Sequence, residues 1–429
     1  MPIDPGFMVL ITIVVLLVIG LPIAFVLGLS ATVMIFLDPG IMPLIIGVIP
    51  FAGARNYLLV AGFLFLVVGE VMNQGKIATK LMDFAGSLVG HFRGGLAQVN
   101  IVTSLLFSNI SGSATADAAA IGSMMIPEMV KQGYSKAYSA AVTATSATMS
   151  IIVPPSLNLI LYAFVAETSV AALFAAGILP GFLVCALLMF AAYLQAVKRG
   201  YPTQHTFSLK RLFATAKGAI LPMTIPVVIL VGILGGVFTA TESGAIAALW
   251  AIIMSTLIYR TLDWRALLVT LKTAVSRSAM LMFIIATSTL LGWYLSYEGI
   301  PVRIAQGITS ISDNYWVILV LINTFFLLAG TVIHGTPAIL MLVPIFLPLA
   351  DQLGIDRVHF GLLVTINLGI GQQTPPVASV VLMTCAIARI RISEILPSMG
   401  WFLLAMLIAL ILVSAFPIIS LFLPQLLLS

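Results

Sequence analysis

The chain has 429 residues, 61% of them hydrophobic and only 8% charged, with a mean hydropathy of +1.19 and a formal net charge of +5. This composition excludes a soluble globular domain and matches a polytopic membrane protein embedded in a lipid bilayer. The positive excess lies in loops, where it orients spans; it gives no reason to expect a nucleic-acid partner.

Apolar runs long enough to cross the hydrocarbon core recur along the chain, the first being Phe7–Leu37. No basic segment and no small-residue cleavage site accompany it, so it reads as a retained membrane segment. Asp38–Arg55 fits a short span or an interfacial segment equally well, and Leu58–Met72 is the next apolar run. Ile77–Arg93 mixes Lys80, Asp83 and Arg93 with apolar residues at helical spacing, the pattern of a helix lying in the interface plane.

From Gly94 to Pro127 the sequence suits a helical hairpin whose tip is the polar tract Ser108-Asn109-Ile110-Ser111-Gly112-Ser113-Ala114-Thr115-Ala116-Asp117. Lys76, Lys80, Arg93, Lys131 and Lys136 flank it on both sides, so it should enter and leave from the cytoplasm. Ala137–Val165 then crosses outward, interrupted at Thr148–Ser156 by the double proline Pro154-Pro155, and Ala171–Val197 returns. Lys198–Lys217 is basic, with no acidic residue, and reads as a cytoplasmic linker.

The second half follows the same plan. After the apolar runs Leu221–Phe238 and Ala279–Leu295, Ile300–Asn314 repeats the interfacial pattern. Tyr315–Leu349 repeats the hairpin, with Gly330–Pro337 as its tip, and Gly369–Pro376 repeats the double proline at Pro375-Pro376. Asn100 with Asn323, Ser108 with Thr331, Gly112 with Gly335, Ser113 with Thr336 and Lys80 with Arg303 share one offset. The second tip lies among less positive loops and should enter from outside.

The fold class expected is therefore all-α and polytopic, with two inverted repeats, each holding a re-entrant hairpin and a broken helix. The first repeat spans residues 1–197 (tip near 108–113, break near 149–156) and the second 218–429 (tip near 330–337, break near 369–376), joined by the linker 198–217. Irregular backbone at membrane depth, placed twice at corresponding positions, points to a secondary transporter.

A broken helix exposes N–H groups at one half and carbonyls at the other; the first suit an anion and the second a cation. Ser, Thr and Asn add neutral oxygen ligands of the hard kind that Na+ favours. Proline removes an N–H donor, so Pro154, Pro155, Pro375 and Pro376 are the expected helix breakers. Across Ser108–Thr115, Thr148–Ser156, Gly330–Pro337 and Gly369–Pro376 there is no Lys or Arg, and His334 is the one ionisable side chain; Asp117 lies just past the first tip. An anionic cargo would then need bound cations and half-helix N-termini to meet its charge, which couples cargo to Na+.

Each feature has a plainer reading. Small residues pack helices closely, prolines mark kinks, and Asp117 could hold the hairpin together rather than touch cargo. His334 could carry a proton or serve as a neutral hydrogen-bonding group. Glu70, Glu242 and Glu298 are expected at span ends or paired within the scaffold. Cys185 and Cys385 lie far apart in apolar surroundings and read as inert thiols. No nucleotide loop and no metal-ligand spacing occurs. An intramembrane enzyme would need a nucleophile and base at depth, and of four histidines only His334 falls in a tip, so no catalytic residues are assigned.

At Ser108–Asp117, Ile126–Ala144, Val153–Ser156 and Gly371–Val377 the chain resembles the large membrane subunit of tripartite ATP-independent periplasmic (TRAP) transporters. The resemblance implies Na+-driven uptake of an organic acid across the bacterial inner membrane by an elevator motion. It also implies a small four-helix membrane subunit and a periplasmic substrate-binding protein as partners. Sialic acids and C4-dicarboxylates are the expected cargo classes, with overall likeness leaning to sialic acid. A stand-alone Na+- or H+-coupled anion symporter, needing no binding protein, is the alternative.

Carried over by position, the substrate set is Ser111, Ser113, Thr115, Asp117, Ser156 and Asn158. The Na+ ligands, in at least two sites, are Ser108, Asn109, Gly112 and Ser150 on one side and Thr331, Gly335, Thr336, Gly369 and Thr374 on the other. His334 departs from the small polar or acidic type expected at its position.

Overall fold

The computed structural model describes residues 5–75 and 77–428, leaving aside the side chains of Ala78, Asn109, Ile110 and Ser111. It is all-helical among those residues. Eight helices are long and apolar enough to cross a membrane, or up to nine if the bent pair Ile45–Ala54 and Leu58–Gln74, which meet at 58°, forms one span. The uncertain stretch after Asp38 is thus a short helix leading into a longer one.

The first apolar run departs from expectation. Phe7–Leu37 is split into Pro5–Val18 and Ile23–Leu37. Gly20 takes φ +87, and Pro22 cannot donate the backbone hydrogen bond that a continuous helix requires.

The two hairpins are present as Gly95–Ser111 with Ala114–Lys131, and Tyr315–Val332 with Gly335–Gln352. Pro127 lies inside its helix rather than ending it. Two broken helices follow: Lys136–Ala147 continues through the turn Met149–Ile152 before Leu157–Ala166, and Arg357–Gly371 precedes Ser379–Ala388. Long helices Val170–Arg199 and Ile392–Ala415 come next. The order hairpin, broken helix, long helix therefore occurs twice. Ala78–Val89 and Ile300–Ile311 are separate short helices with one apolar side, as their patterns require. Within the basic stretch 198–217 only residues 200–208 are non-helical; Lys210, Arg211 and Lys217 already belong to Leu209–Leu234.

Several helix starts away from the breaks are capped by side chains. Ser135, Ser169, Asp263, Asn314 and Asp356 each accept a backbone N–H, and Thr239 with Glu242 forms a reciprocal box. Glu242 and Glu298 therefore sit at helix ends, while Glu70 pairs with Arg277 across two helices, Leu58–Gln74 and Trp264–Tyr297.

The broken helices form the centre. The apolar window within Lys136–Ala166 is 89% buried, against 28% for Tyr315–Val332, so the first belongs to the interior and the second to the rim. Each hairpin is tied to its own broken helix by an asparagine at the shared offset. Asn100 donates to Thr143 Oγ1 at 2.7 Å, and Asn323 Oδ1 accepts from Asn367 at 2.7 Å. The two broken helices meet where Gln373 Nε2 donates to Thr148 Oγ1 at 2.7 Å and to the Gly369 carbonyl at 3.1 Å. Such interhelical bonds contribute roughly 0.6 kcal/mol each in a bilayer, so their value lies in fixing register. Gly177 and Gly181, in the long helix after the first break, receive Ile152–Val153 so closely that a side chain at either would collide. Outward-facing Val227, Val231 and Leu328 are exposed, as lipid contact demands.

Candidate functional site

Both hairpin tips and both breaks approach one cavity of about 430 Å³. Gly112 takes φ +60 and ends the first hairpin arm, then Ser113 caps the second, its hydroxyl accepting from Ala116 N–H. A Cβ at Gly112 would lie 2.9 Å from the Leu157 backbone nitrogen, so the first tip rests directly on the restart of the first broken helix. At the second tip His334 precedes Gly335, and Thr336 Oγ1 donates to Asn158 Oδ1 at 3.2 Å. The second tip thereby reaches across to the first broken helix.

Of the expected substrate residues, Ser113, Thr115 and Asn158 line the cavity, as do Gly112 and Thr336 from the expected Na+ set. Asp117 is fully buried in the first turn of Ala114–Lys131, behind the wall rather than on it. Ser156 is also buried behind the wall; its hydroxyl donates to the Ile151 carbonyl at 2.9 Å and spans the break. Ser111 and Asn109 have side chains outside the described residues. Ser108, Ser150, Thr331 and Thr374 turn their hydroxyl protons onto carbonyls of their own helices, to Leu105, Ala147, Leu328 and Ile370. Each oxygen keeps lone pairs, the neutral hard donor that an alkali cation requires. Gly335 lies between Gln372 and Asn158, and Gly369 faces the Thr148 carbonyl. The double prolines Pro154-Pro155 and Pro375-Pro376 occupy the two breaks, each joined by a cis peptide bond. His334 is exposed at the cavity, whereas the buried histidine is His359, held by Ser420 Oγ at 2.7 Å.

The electrostatics follow from helix ends. Ala114–Lys131, Leu157–Ala166 and Gly335–Gln352 all begin at the cavity, directing their first-turn N–H groups and positive partial charge toward it. The helices ending at Ser111, Ile152 and Gly371 bring carbonyl ends to the same region. One volume thus offers places for an anion beside places for cations. No group of three His, Cys, Asp or Glu capable of holding a metal occurs among the described residues, and both cysteines are buried and free.

Among the polar lining residues, Asn73, Arg277 and Gln372 lie outside the expected site, and Glu70, expected only at a span end or paired within the scaffold, lines the cavity as well. The tips indeed carry no Lys or Arg, but a guanidinium reaches the cavity from the helix Trp264–Tyr297. Gln372 is 2% exposed, and neither of its amide atoms has a partner among the described residues. An unpaired buried amide is unfavourable unless something else completes it. Gln372→Met should therefore leave the empty protein at least as heat-stable as the wild type while lowering uptake about tenfold. Thermal midpoints and initial uptake rates on the same preparation check both halves.

A family model described as Tripartite ATP-independent periplasmic transporter, DctM component, matches residues 10–419. The chain belongs to that family. Sialic acid TRAP transporter large permease protein SiaM of Vibrio cholerae is 38% identical over 374 residues, covering 87% of this chain and 88% of the relative. C4-dicarboxylate TRAP transporter large permease protein DctM of Rhodobacter capsulatus is 32% identical over 428 residues, covering 96% and 97%. Among solved structures, the YdaH transporter of Alcanivorax borkumensis matches with a TM-score of 0.64 over 96% of this chain and 98% of that one. At 14% identity that likeness speaks for the fold. This DctM-family chain is a multi-pass membrane protein, and its relatives are transport permeases.

Proposed function

We propose that this chain is the transport subunit of a TRAP system that moves a carboxylate-bearing organic acid across the bacterial inner membrane, driven by co-bound Na+. The observation that carries this reading is the single cavity onto which three helix N-termini and the carbonyl ends of the breaks open. The N-termini favour the acid, and the carbonyls and hydroxyls favour the cation. Each bound partner lowers the electrostatic penalty of the other, which is the thermodynamic condition for symport.

Relatives named for sialic acid and for C4-dicarboxylates support the choice of cargo class. By the family's tripartite description, the proposed partners are a small four-helix membrane subunit and a periplasmic binding protein. Asn100 and Asn323 join each hairpin to its broken helix, so we take tips and broken helices as one body that slides past the scaffold helices Leu58–Gln74 and Trp264–Tyr297. The two halves are proposed as inverted repeats on the strength of their shared element order.

Reconstituting the chain with its small subunit tests the reading. Uptake of sialic acid or succinate is expected only with an inward Na+ gradient and with the binding protein added outside. Choline in place of Na+ should reduce uptake to background. Uptake without the binding protein would favour a stand-alone symporter, and uptake driven by a pH gradient alone would replace Na+ with H+.

A further inference from the structure

The scaffold wall of the cavity carries an ion pair that the tips cannot supply. Glu70, 8% exposed, accepts a hydrogen bond from Arg277 Nη1, while Arg277 remains 52% exposed and lines the cavity. Apart from this pair, His334 is the one ionisable residue lining the described cavity wall. Arg277 lies well inside the 34-residue helix Trp264–Tyr297, and Glu70 inside Leu58–Gln74. Ionisable groups at such positions are unfavourable unless paired and mark substrate paths in membrane proteins.

We propose that Arg277 is the carboxylate-binding residue of the cavity and that Glu70, by neutralising it, makes acid binding depend on Na+. This rests on the reading of the chain as an organic-acid carrier. A guanidinium carries five N–H donors in a planar fork, so engagement of one Nη1 by Glu70 leaves others to meet a carboxylate. Glu70 and Arg277 together add donors but no net charge. The acid therefore brings an uncompensated negative charge into the cavity, and a bound cation must balance it. Were Arg277 unopposed, its own charge would suffice, and the acid would enter without the ion.

The pair also belongs to the scaffold helices, opposite the tips. A carboxylate bridging Arg277 to Ser113, Thr115 or Gln372 would hold scaffold and tips together, so release of that bridge would accompany movement of the tips. Cargo recognition and the freedom to move are then linked through one side chain.

The test uses the complete membrane complex in lipid nanodiscs, without binding protein, probed with sialic acid, its carboxamide analogue and succinate in Na+ or choline buffer. Wild type is expected to bind acids in Na+ and to lose most of that affinity in choline. Glu70→Gln should retain acid binding in choline, with a Na+ dependence weakened roughly 10-fold or more. Arg277→Gln should bind acids roughly 10- to 100-fold more weakly in either buffer and lose the preference for acid over carboxamide. Arg277→Lys, which keeps charge without the fork, should recover part of the affinity. Matched gel-filtration profiles and thermal midpoints establish that the variants are folded. If folded Arg277→Gln binds and discriminates as wild type does, or folded Glu70→Gln keeps full Na+ dependence, the proposal fails while the carrier reading stands. If the wild type neither binds nor transports any acid, both fail.

Discussion

Gly371→Ala is expected to destabilise the permease severely, whereas Gly369→Ala, two residues earlier on the same helix, should be tolerated. A Cβ at Gly371 would stand 2.5 Å from the Gly330 Cα and carbonyl carbon and 2.9 Å from the Leu327 carbonyl oxygen. All three are backbone atoms, so no side chain can turn aside. Overpacking of this kind costs about 1–3 kcal/mol where some relaxation is possible, and the backbone-to-backbone approach places Gly371 at or above the upper end. A Cβ at Gly369 meets its nearest neighbours at 3.9 Å, an ordinary contact, and the substitution keeps the carbonyl proposed for cation binding. Thermal unfolding of the two variants in the same detergent measures the difference. Equal midpoints would show that the hairpin and the broken helix do not approach each other at Gly330.

Asp117→Ala should lower uptake by roughly 100-fold, the equivalent of about 3 kcal/mol, without preventing assembly of the complex. Asp117 is fully buried in the first turn of the helix that starts at the first tip, close to the positive end of that helix. It lies behind Ser113 and Thr115 rather than on the cavity wall, so its proposed part is to attract the coupling cation from the second layer. Asp117→Asn preserves shape and removes charge, and should be impaired nearly as much. Wild-type uptake by a folded Asp117→Ala complex would remove this carboxylate from the mechanism. A loss of folding shared by Ala and Asn variants would reduce it to a fastener of the hairpin.

The tips and breaks were legible because the chain departs there from an otherwise apolar composition, and because Gly112, Gly335 and the double prolines recur in the same order in both halves. The asparagine offset was legible too, and its physical basis is the paired bonds from Asn100 and Asn323 to the broken helices. Arg277 was not. The apolar run was read from Ala279 onward, which left Arg277 outside the span, although its helix begins at Trp264. Hydropathy reports where lipid-compatible sequence lies, and a helix can extend well past it. Glu70 gave a clearer hint, being the one carboxylate within Leu58–Met72, yet its partner is remote in sequence and only tertiary packing brings the two together. Gln372 was hidden for another reason: in a stretch read for its prolines, an uncharged amide attracts little notice. The division of Phe7–Leu37 shows the limit of run length, since Gly20 and Pro22 redirect the backbone without lowering the average hydropathy much.

The walls of the cavity come from residues as far apart as Leu66 and Met383. During synthesis, therefore, the first tip and the first break emerge long before the segments that will enclose them. Thr148 must wait for Gln373, and Asn158 for Thr336, before their crossing hydrogen bonds can form. The nascent chain thus holds a polar, half-built chamber in the insertion machinery or in lipid until its distal portion arrives. A ribosome stalled just short of the second hairpin would leave a protein whose first hairpin rests on the first broken helix with no second tip to close the chamber.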